Sequence, residues 1–397
     1  MSTPFNQHEL PEGPWILEMP DPVVLVLVGV SEALLESPQA LATAAADAIG
    51  EEVELSIPDD EPDGVAWLAG LHVDGLPVPL LCWPEPAAAA GIGLPDDIAD
   101  RPGLVVQSLL HPGDPLTCFS NMLRLLATLD PAAAGILDAD TGRWLEQAVL
   151  IDDLLNNPID PRDDLLWIVE VTSDDGEHSL QTTGLTRCGH REMCIDAIEP
   201  SLVDAAADLL ASVASLVLET PLPEPGAQIE IGPGLHLLIA GDVDQEDTPI
   251  RLEAQHGGEP PHDVLCRLSD GVAAVYLSER ATSRHRAIAV HTWKAFLELH
   301  ERLIEAGAEC FVEVPWEDAS GEEPVREHLW MEITSCVGEC VMAAAVHDSS
   351  LVQGVPSEPM QITQDEICSW RALLTGIVWG PEQIEHLIAH LDAGCPS

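Results

Sequence analysis

"QTTGLTRCGHREMCID" (residues 181–196) admits two readings, and the choice between them decides the fold. Cys188, His190 and Cys194 fall within seven residues, with Arg187 and Arg191 beside them, so one reading is a zinc or redox centre that staples a small domain. The other is a pair of strands joined by a turn in an ordinary core. A structural zinc site takes four ligands, usually as two close pairs. Here the spacings are Cys-x-His and Cys-x5-Cys, and the pair Cys336 and Cys340 ("CVGEC") lies far along the chain. A turn at "CGH" points Cys188 and His190 apart. Gly184 and Gly189 allow the backbone angles of such a turn, and Arg187 is free to pair with a carboxylate. Strand–turn–strand is the preferred reading, with no metal and no cofactor expected.

The flanks agree with it. "LLWIVEV" precedes the stretch as a strand, and "SLVDAAADLLASVASLVLE" follows as a helix. Ser201 and Asp204 have capping-box spacing, and Leu202, Ala206, Leu209, Val213 and Val217 fall on one face. Further upstream, "PVVLVLVGV" (22–30) is apolar throughout, as a strand buried on both faces must be. A helix follows, capped by Ser37, with Pro38 in its first turn and Gly50 at its end. "EEVELSI" alternates as a strand, and "AWLAGLHV" and "LPVPLLCW" flank the hairpin signal Asp74-Gly75. "CFSNMLRLLATL" places Phe119, Met122, Leu123 and Leu126 on one helical face, "AAAGILDA" is a short strand, and "TGRWLEQAVLIDDLL" reads as a helix.

Past this region, "TPLPEPGAQ" (220–228) has the prolines of a linker. "IEIGPGLHLLIAG", "PIRLEAQ", "VLCRL" and "VAAVYL" read as strands, "GPG" (232–234) being a hairpin turn. A helix over 291–306 leads to strands "ECFVEVPW", "EHLWMEIT" and "ECVMAAAV", then to short helices near 364–374 and 381–391. The expected architecture is a multidomain α+β protein with mixed or antiparallel sheets packed against helices. Its parts are a lead-in (1–20), an α+β region of two βα units (21–219), the linker (220–228), a β-rich segment (229–285) and an α+β domain (286–397).

The 397-residue chain is 46% hydrophobic, enough for a sizeable core, and its net charge is -54. A single lysine, Lys294, accompanies fourteen arginines, and residues 1–100 hold 19 carboxylates with no Lys or Arg. Nucleic-acid binding needs cations that replace counterions on phosphate, so no nucleic acid is expected to dock there. Anionic membrane surfaces are excluded by the same sign argument. The carboxylates are spread along the chain, as solubility or a salty environment would require. A basic protein partner, steered in by the field, is the sharper alternative. The N-terminal stretch has no basic signal region and the longest apolar run is too short to span a bilayer, so a cytoplasmic protein is expected. The ten scattered cysteines read as small buried hydrophobes. Nothing in the sequence speaks to oligomeric state.

Two segments carry a family resemblance. "FVEVPWEDASGEEPVREHLWMEITS" with "VQGVPSEPMQITQDEICSW" resembles the bacterial domain of unknown function 2314. Its Glu-His-aromatic core is matched by Glu327, His328 and Trp330, its later glycine by Gly354, and its helix-opening Ile-x-Asp-Trp by Ile367 and Trp370, with Ser369 in place of the Asp. "LLWIVEV" with the opening stretch resembles domain of unknown function 4026, through Thr182, Gly184, Leu185, Arg187, Cys188, Gly189 and Glu192. Gln181 and Thr183 stand where that family has histidines. The resemblances imply a bacterial source and a shared fold, and bring no activity.

The candidate binding residues are Glu327, His328 and Trp330, with Trp370, Arg187 and Glu192 from the same motifs. On a strand, His328 and Trp330 share one face and Glu327 takes the other, so a His and an indole together can grip a ligand or peptide. Arg280, Arg284, Arg286 and Lys294 form the one basic island, a candidate anion site or a neutraliser of an acidic surface. His386 and His390 share a helical face, but Leu387 stands where a zincin carries its catalytic Glu. No phosphate loop or G-x-S-x-G elbow is present, and no catalytic residue is assigned. A non-catalytic binding protein, such as an inhibitor or immunity protein for a basic partner, is the leading expectation. A hydrolase-like enzyme using a His/Glu site near His328 is the alternative.

Overall fold

The computed structural model describes residues 12–58, 64–87, 96–174, 176–246, 248–253, 261–270, 273–318, 325–346, 355 and 358–393. The chain divides into two compact units, Met1–Ser278 and Glu279–Ser397.

The first unit begins with β1 (Val23–Val28), α1 (Glu32–Leu35), α2 (Pro38–Ile49), β2 (Glu54–Ser56), β3 (Ala69–His72) and β4 (Leu80–Pro86). It continues with α3 (Asp96–Ala99), β5 (Pro102–Ser108), α4 (Pro115–Leu129), β6 (Gly135–Asp138), β7 (Arg143–Glu146) and α5 (Gln147–Leu150). The seven strands form one sheet, ordered β2-β3-β4-β5-β1-β6-β7. β1 is paired antiparallel on both sides, to β5 and β6. Its alternate residues serve two cores. Val23, Leu25 and Leu27 pack with Leu41 of α2 and Phe119 and Met122 of α4. Val26 and Val28 pack with Ile98, Val105 and Leu137 on the other face. Each such buried side chain stabilises the fold by roughly 1.5–3 kcal/mol, which explains an unbroken apolar strand. The α2 signals all act: Ser37 Oγ accepts from Ala40 N at 3.2 Å, and Gly50 sits at φ 73° and donates its N–H to Ala46 O.

Residues 143–146, expected to open a helix, are instead strand β7, because Trp144 and Leu145 pair with Leu137 and Ile136 at the sheet edge. The helix reading survives only in α5 and the single π-turn Ile151–Leu155.

The second sheet of this unit contains β8 (Ile168–Asp174), β9 (Glu177–Thr183), β10 (Met193–Ile198), β11 (Gln228–Gly232), β12 (Leu235–Ala240) and β13 (Ile250–Glu253). Its order is β11-β12-β13-β10-β9-β8, with β10 and β13 parallel and the other pairs antiparallel. Helix α6 (Val203–Val217) buries Ala206, Leu209, Leu210 and Val213 in the same core as Leu180, Met193 and Ile195. Pro200–Val217 is long and apolar enough by composition to cross a membrane, but this stripe packs on the sheet. The Ser201–Asp204 capping box does not form. A 3-10 turn, Pro200–Leu202, leads into α6, leaving Leu202 at the cap with no side-chain hydrogen bond.

The proline-rich 220–228 segment runs inside the first unit rather than between units. Leu222 is buried, and Pro223 O accepts a 2.7 Å hydrogen bond from Trp15 Nε1. That bond also seats the described part of the lead-in. "VLCRL" is helical, within α7 (Pro261–Ser269), and the described part of "VAAVYL" belongs to no helix or named strand. A short apolar run suits a buried helix as well as a strand, so its composition does not choose.

The second unit comprises α8 (Glu279–Glu305), β14 (Glu309–Asp318), β15 (Val325–Val337), β16 (Cys340–Ala345), β17 (Met360–Ile362), β18 (Ser369–Leu374), β19 (Ile377–Trp379) and α9 (Ile384–Asp392). Its sheet runs β17-β16-β15-β14-β18-β19, antiparallel throughout. Trp293, Phe296 and Leu303 of α8 and Leu387 of α9 share a core with Val312, Met331 and Trp370. The helix expected over 364–374 is a 3-10 turn, Gln364–Glu366, followed by strand β18. Trp370, Ala372 and Leu374 alternate inward there, which is a strand period. The whole is an α+β protein with three mostly antiparallel sheets.

Candidate functional site

In the second unit, β15 alternates. Leu329, Met331 and Ile333 are buried toward the helices, while His328, Trp330 and Glu332 take the other face. Glu327 shares the parity of Leu329, so it parts from His328 and Trp330 as the period of two requires. The register then assembles a surface from three strands. Trp330 lies opposite Glu313, His328 opposite Pro315, and Glu332 opposite Phe311. Across β14, Phe311 faces Arg371 and Glu313 faces Ser369.

At the centre, the Arg371 guanidinium carbon sits 4.2 Å from the centroid of the half-buried Trp330 ring. A guanidinium over an indole face is attracted by the ring quadrupole, worth about 0.5–1 kcal/mol at an exposed site. His328 Nδ1 lies 3.7 Å from Glu313 Oε1, with side chains 44% and 21% exposed. The arrangement is an aromatic platform edged by carboxylates and accessible to solvent. Chemically it suits a cation. Arg371 and Glu313 were not among the residues expected from the sequence. The alternation of "SWRALL" would have found Arg371 had the segment been read as a strand.

The other expected binding residues lie elsewhere. Trp370 is 0% exposed, stacks on Phe296 at 4.5 Å between centroids, and donates Nε1–H to Thr292 Oγ1 at 3.0 Å. It is a core anchor with no surface to offer a partner. Arg187, also fully buried, ion-pairs with Asp138 and donates to Leu166 O. The Glu192 carboxylate accepts from Thr182 Oγ1 at 2.5 Å, Gly184 N at 2.7 Å and Thr186 N at 3.3 Å. It ties the strand–turn–strand together and is a structural acceptor rather than a ligand-facing acid. Gly354 lies outside the described residues.

In the central turn, Cys188, His190 and Cys194 diverge. The Cys188 thiol points at Gly184 O, 3.8 Å away, and burial pushes it up to about 12. His190 packs beside Trp15 and Ile16, where burial pulls it down to about 4. Cys194, raised to about 11 by burial, lines the opposite face of the sheet. Among the described residues no group of three or more His, Cys, Asp or Glu converges as a metal site.

The basic island spreads along α8. Arg284 pairs with Glu382 at 2.8 Å, Arg286 donates to Asp365 O at 2.6 Å, and Lys294 lies 3.9 Å from Glu298. Arg280 and Lys294 stand about 20 Å apart along such a helix, too far to hold one anion. In α9, His386 is exposed and His390 lies 5.4 Å from the Trp379 ring.

Residues 278–393 match the family described as "Uncharacterized protein conserved in bacteria (DUF2314)". The matched span covers most of the second unit and stops short of the central 181–196 stretch. No curated protein and no solved structure matches the chain.

Proposed function

We propose that this is a non-catalytic, acidic binding protein of the cytoplasm, whose second unit engages a positively charged protein through the sheet face around Trp330. One observation carries the reading: the face already holds a guanidinium, that of Arg371, on the Trp330 ring. A partner's arginine or lysine that displaces Arg371 meets the same ring, with Glu313 and Glu332 beside it. The net charge of -54 steers such a partner inward. The nine described cysteines are all free thiols, in keeping with a reducing compartment. An inhibitor or immunity protein covering a basic toxin or enzyme is the concrete form of this reading.

A hydrolase-like role for His328 has its own support in the Glu313 carboxylate 3.7 Å away. Both groups reach solvent, however, and no second carboxylate is paired with His328 among the described ion pairs. The likeness of the central region to domain of unknown function 4026 we read as common ancestry. The residues that carry it, Gly184, Arg187 and Glu192, are those that build the turn.

The test is titration of the intact protein with a short arginine-rich peptide at moderate salt. Trp330→Ala is expected to weaken binding by about tenfold or more, as removal of a central aromatic anchor does. An unchanged affinity in Trp330→Ala would overturn the reading.

A further inference from the structure

We propose that the outer edge of β8, in the first unit, is a docking site where an extended, basic peptide adds as a seventh strand to the six-stranded sheet. This site is independent of the Trp330 face.

β8 is the end strand of its sheet, and no strand pairs with its outer side among the described residues. It pairs with β9 without a register break, from Ile168↔Thr183 to Asp174↔Glu177. Only two residues separate Asp174 from Glu177, and so short a hairpin closes on a hydrogen-bonded pair. The ladder then alternates. Backbone groups of Ile168, Glu170 and Thr172 point to β9, and those of Val169, Val171 and Ser173 point outward. Residues 170–173 are exposed, Val171 by 46%. Natural edges are blunted by lysine, proline or a bulge, and this strand has none of them. The opposite edge differs, because Ile231 O of β11 accepts a 2.7 Å hydrogen bond from Tyr276 N.

Charge selects the occupant. Beside β8, on the sheet face away from α6, lies a cavity of about 660 Å3. Glu170, Asp196 and Asp242 line it, against a single cation, Arg251. Arg251 is itself drawn to Glu253, at 3.4 Å. Alternate side chains of an added strand fall on this face, where long cationic residues reach Glu170 of the adjacent β8. A second copy of this chain fits poorly: antiparallel self-pairing sets acidic strands of a -54 chain against each other.

The experiment uses the full chain and three probes: a short peptide alternating lysine and valine, the same peptide with glutamate for lysine, and spermidine, a cation without a peptide backbone. The readouts are amide hydrogen exchange over residues 168–174 and calorimetric affinity. The lysine peptide is expected to bind and to protect these amides, and the other two probes to leave them unprotected. Val171→Pro removes an outward N–H without breaking a β8–β9 hydrogen bond, and Glu170→Lys reverses the charge that β8 presents to the added strand. Each is expected to weaken the peptide by about tenfold. Trp330→Ala is expected to leave protection of 168–174 intact, which separates this site from the other. Equal protection by the glutamate peptide, no protection by the lysine peptide, or protection that arises from self-association overturns the proposal. So does unchanged affinity in Glu170→Lys, a surface substitution that decides the matter should Val171→Pro unfold.

Discussion

Arg187 Nη1 lies 2.9 Å from Asp138 Oδ1, and both side chains are 1% exposed. The guanidinium also donates to Leu166 O and Leu165 O and packs 4.5 Å from the Phe119 ring centroid. Asp138 ends β6 in one sheet and Arg187 sits in the turn after β9 in the other, so this ion pair, with Asp140 Oδ2 3.7 Å from the same nitrogen, rivets the two sheets of the first unit. Removing one partner strands a buried charge, which typically costs about 3–5 kcal/mol. Arg187→Met is therefore expected to lower the unfolding free energy of the first unit by that order, read as a lower midpoint in urea. Arg187→Lys should recover little, since an ammonium cannot make the same fork of bonds. Near-wild-type unfolding of Arg187→Met would show that the rivet is dispensable.

Gly184 is held at φ 116°, and a Cβ there would sit 2.5 Å from Leu166 O. Backbone cannot give way as a side-chain tip does. Gly184→Ala should destabilise by roughly 1–3 kcal/mol or more, from strain and clash together. Gly176→Ala is the control: it shares positive φ but meets nothing within 4 Å, so its thermal shift should be the smaller.

Two tryptophans on the same sheet should behave oppositely. Trp370→Ala empties a stacked core site and is expected to cost about 3–5 kcal/mol. Trp330→Ala, on the open face, should leave the melting temperature of the second unit nearly unchanged while losing the peptide binding described above. Equal destabilisation by the two would place Trp330 in the core.

His190 links pH to stability. Its imidazole is pulled by burial from an ordinary value of 6.5 to about 4. Between those values the unfolded chain binds more protons than the folded one, so stability falls as pH drops from about 6.5 to about 4. His190→Gln lacks this loss. The wild type's stability relative to the variant should decline over that window in urea unfolding. A constant difference would contradict a buried neutral histidine.

Asp140 has the opposite sign. Burial raises its carboxyl from 3.8 to about 6, opposed by a hydrogen bond from Val24 N. The folded state holds the proton more tightly, so this contribution is full below about 3.8 and is lost as pH rises through about 6. Asp140→Asn should flatten that part of the stability profile, as comparative unfolding at pH 4 and pH 7 would reveal.

The legible parts of the fold are those where several local signals agree. Val23–Val28 is apolar on both faces and is buried on both. Ser37, Pro38 and Gly50 bound α2 because capping and left-handed geometry are properties of single residues. His328 and Trp330 share a face because a strand repeats every two residues. Segments 264–268 and 369–374 misled, since an apolar run of this length serves a buried helix or a strand equally. At Ser201, a preceding 3-10 turn overrode correct capping spacing.

By itself the sequence determined what each residue can do: its charge, its period, its turn chemistry, and hence an acidic α+β chain with strand–turn–strand at 181–196. Only the tertiary structure decided which residues meet. It turned Arg187 and Trp370 inward and set Arg371 over Trp330 across the intervening strand β14. It also left the outer side of β8 without a partner strand among the described residues. The physical reason is that register and burial are set by long-range pairing, which distributes identical side chains between core and surface with no local mark.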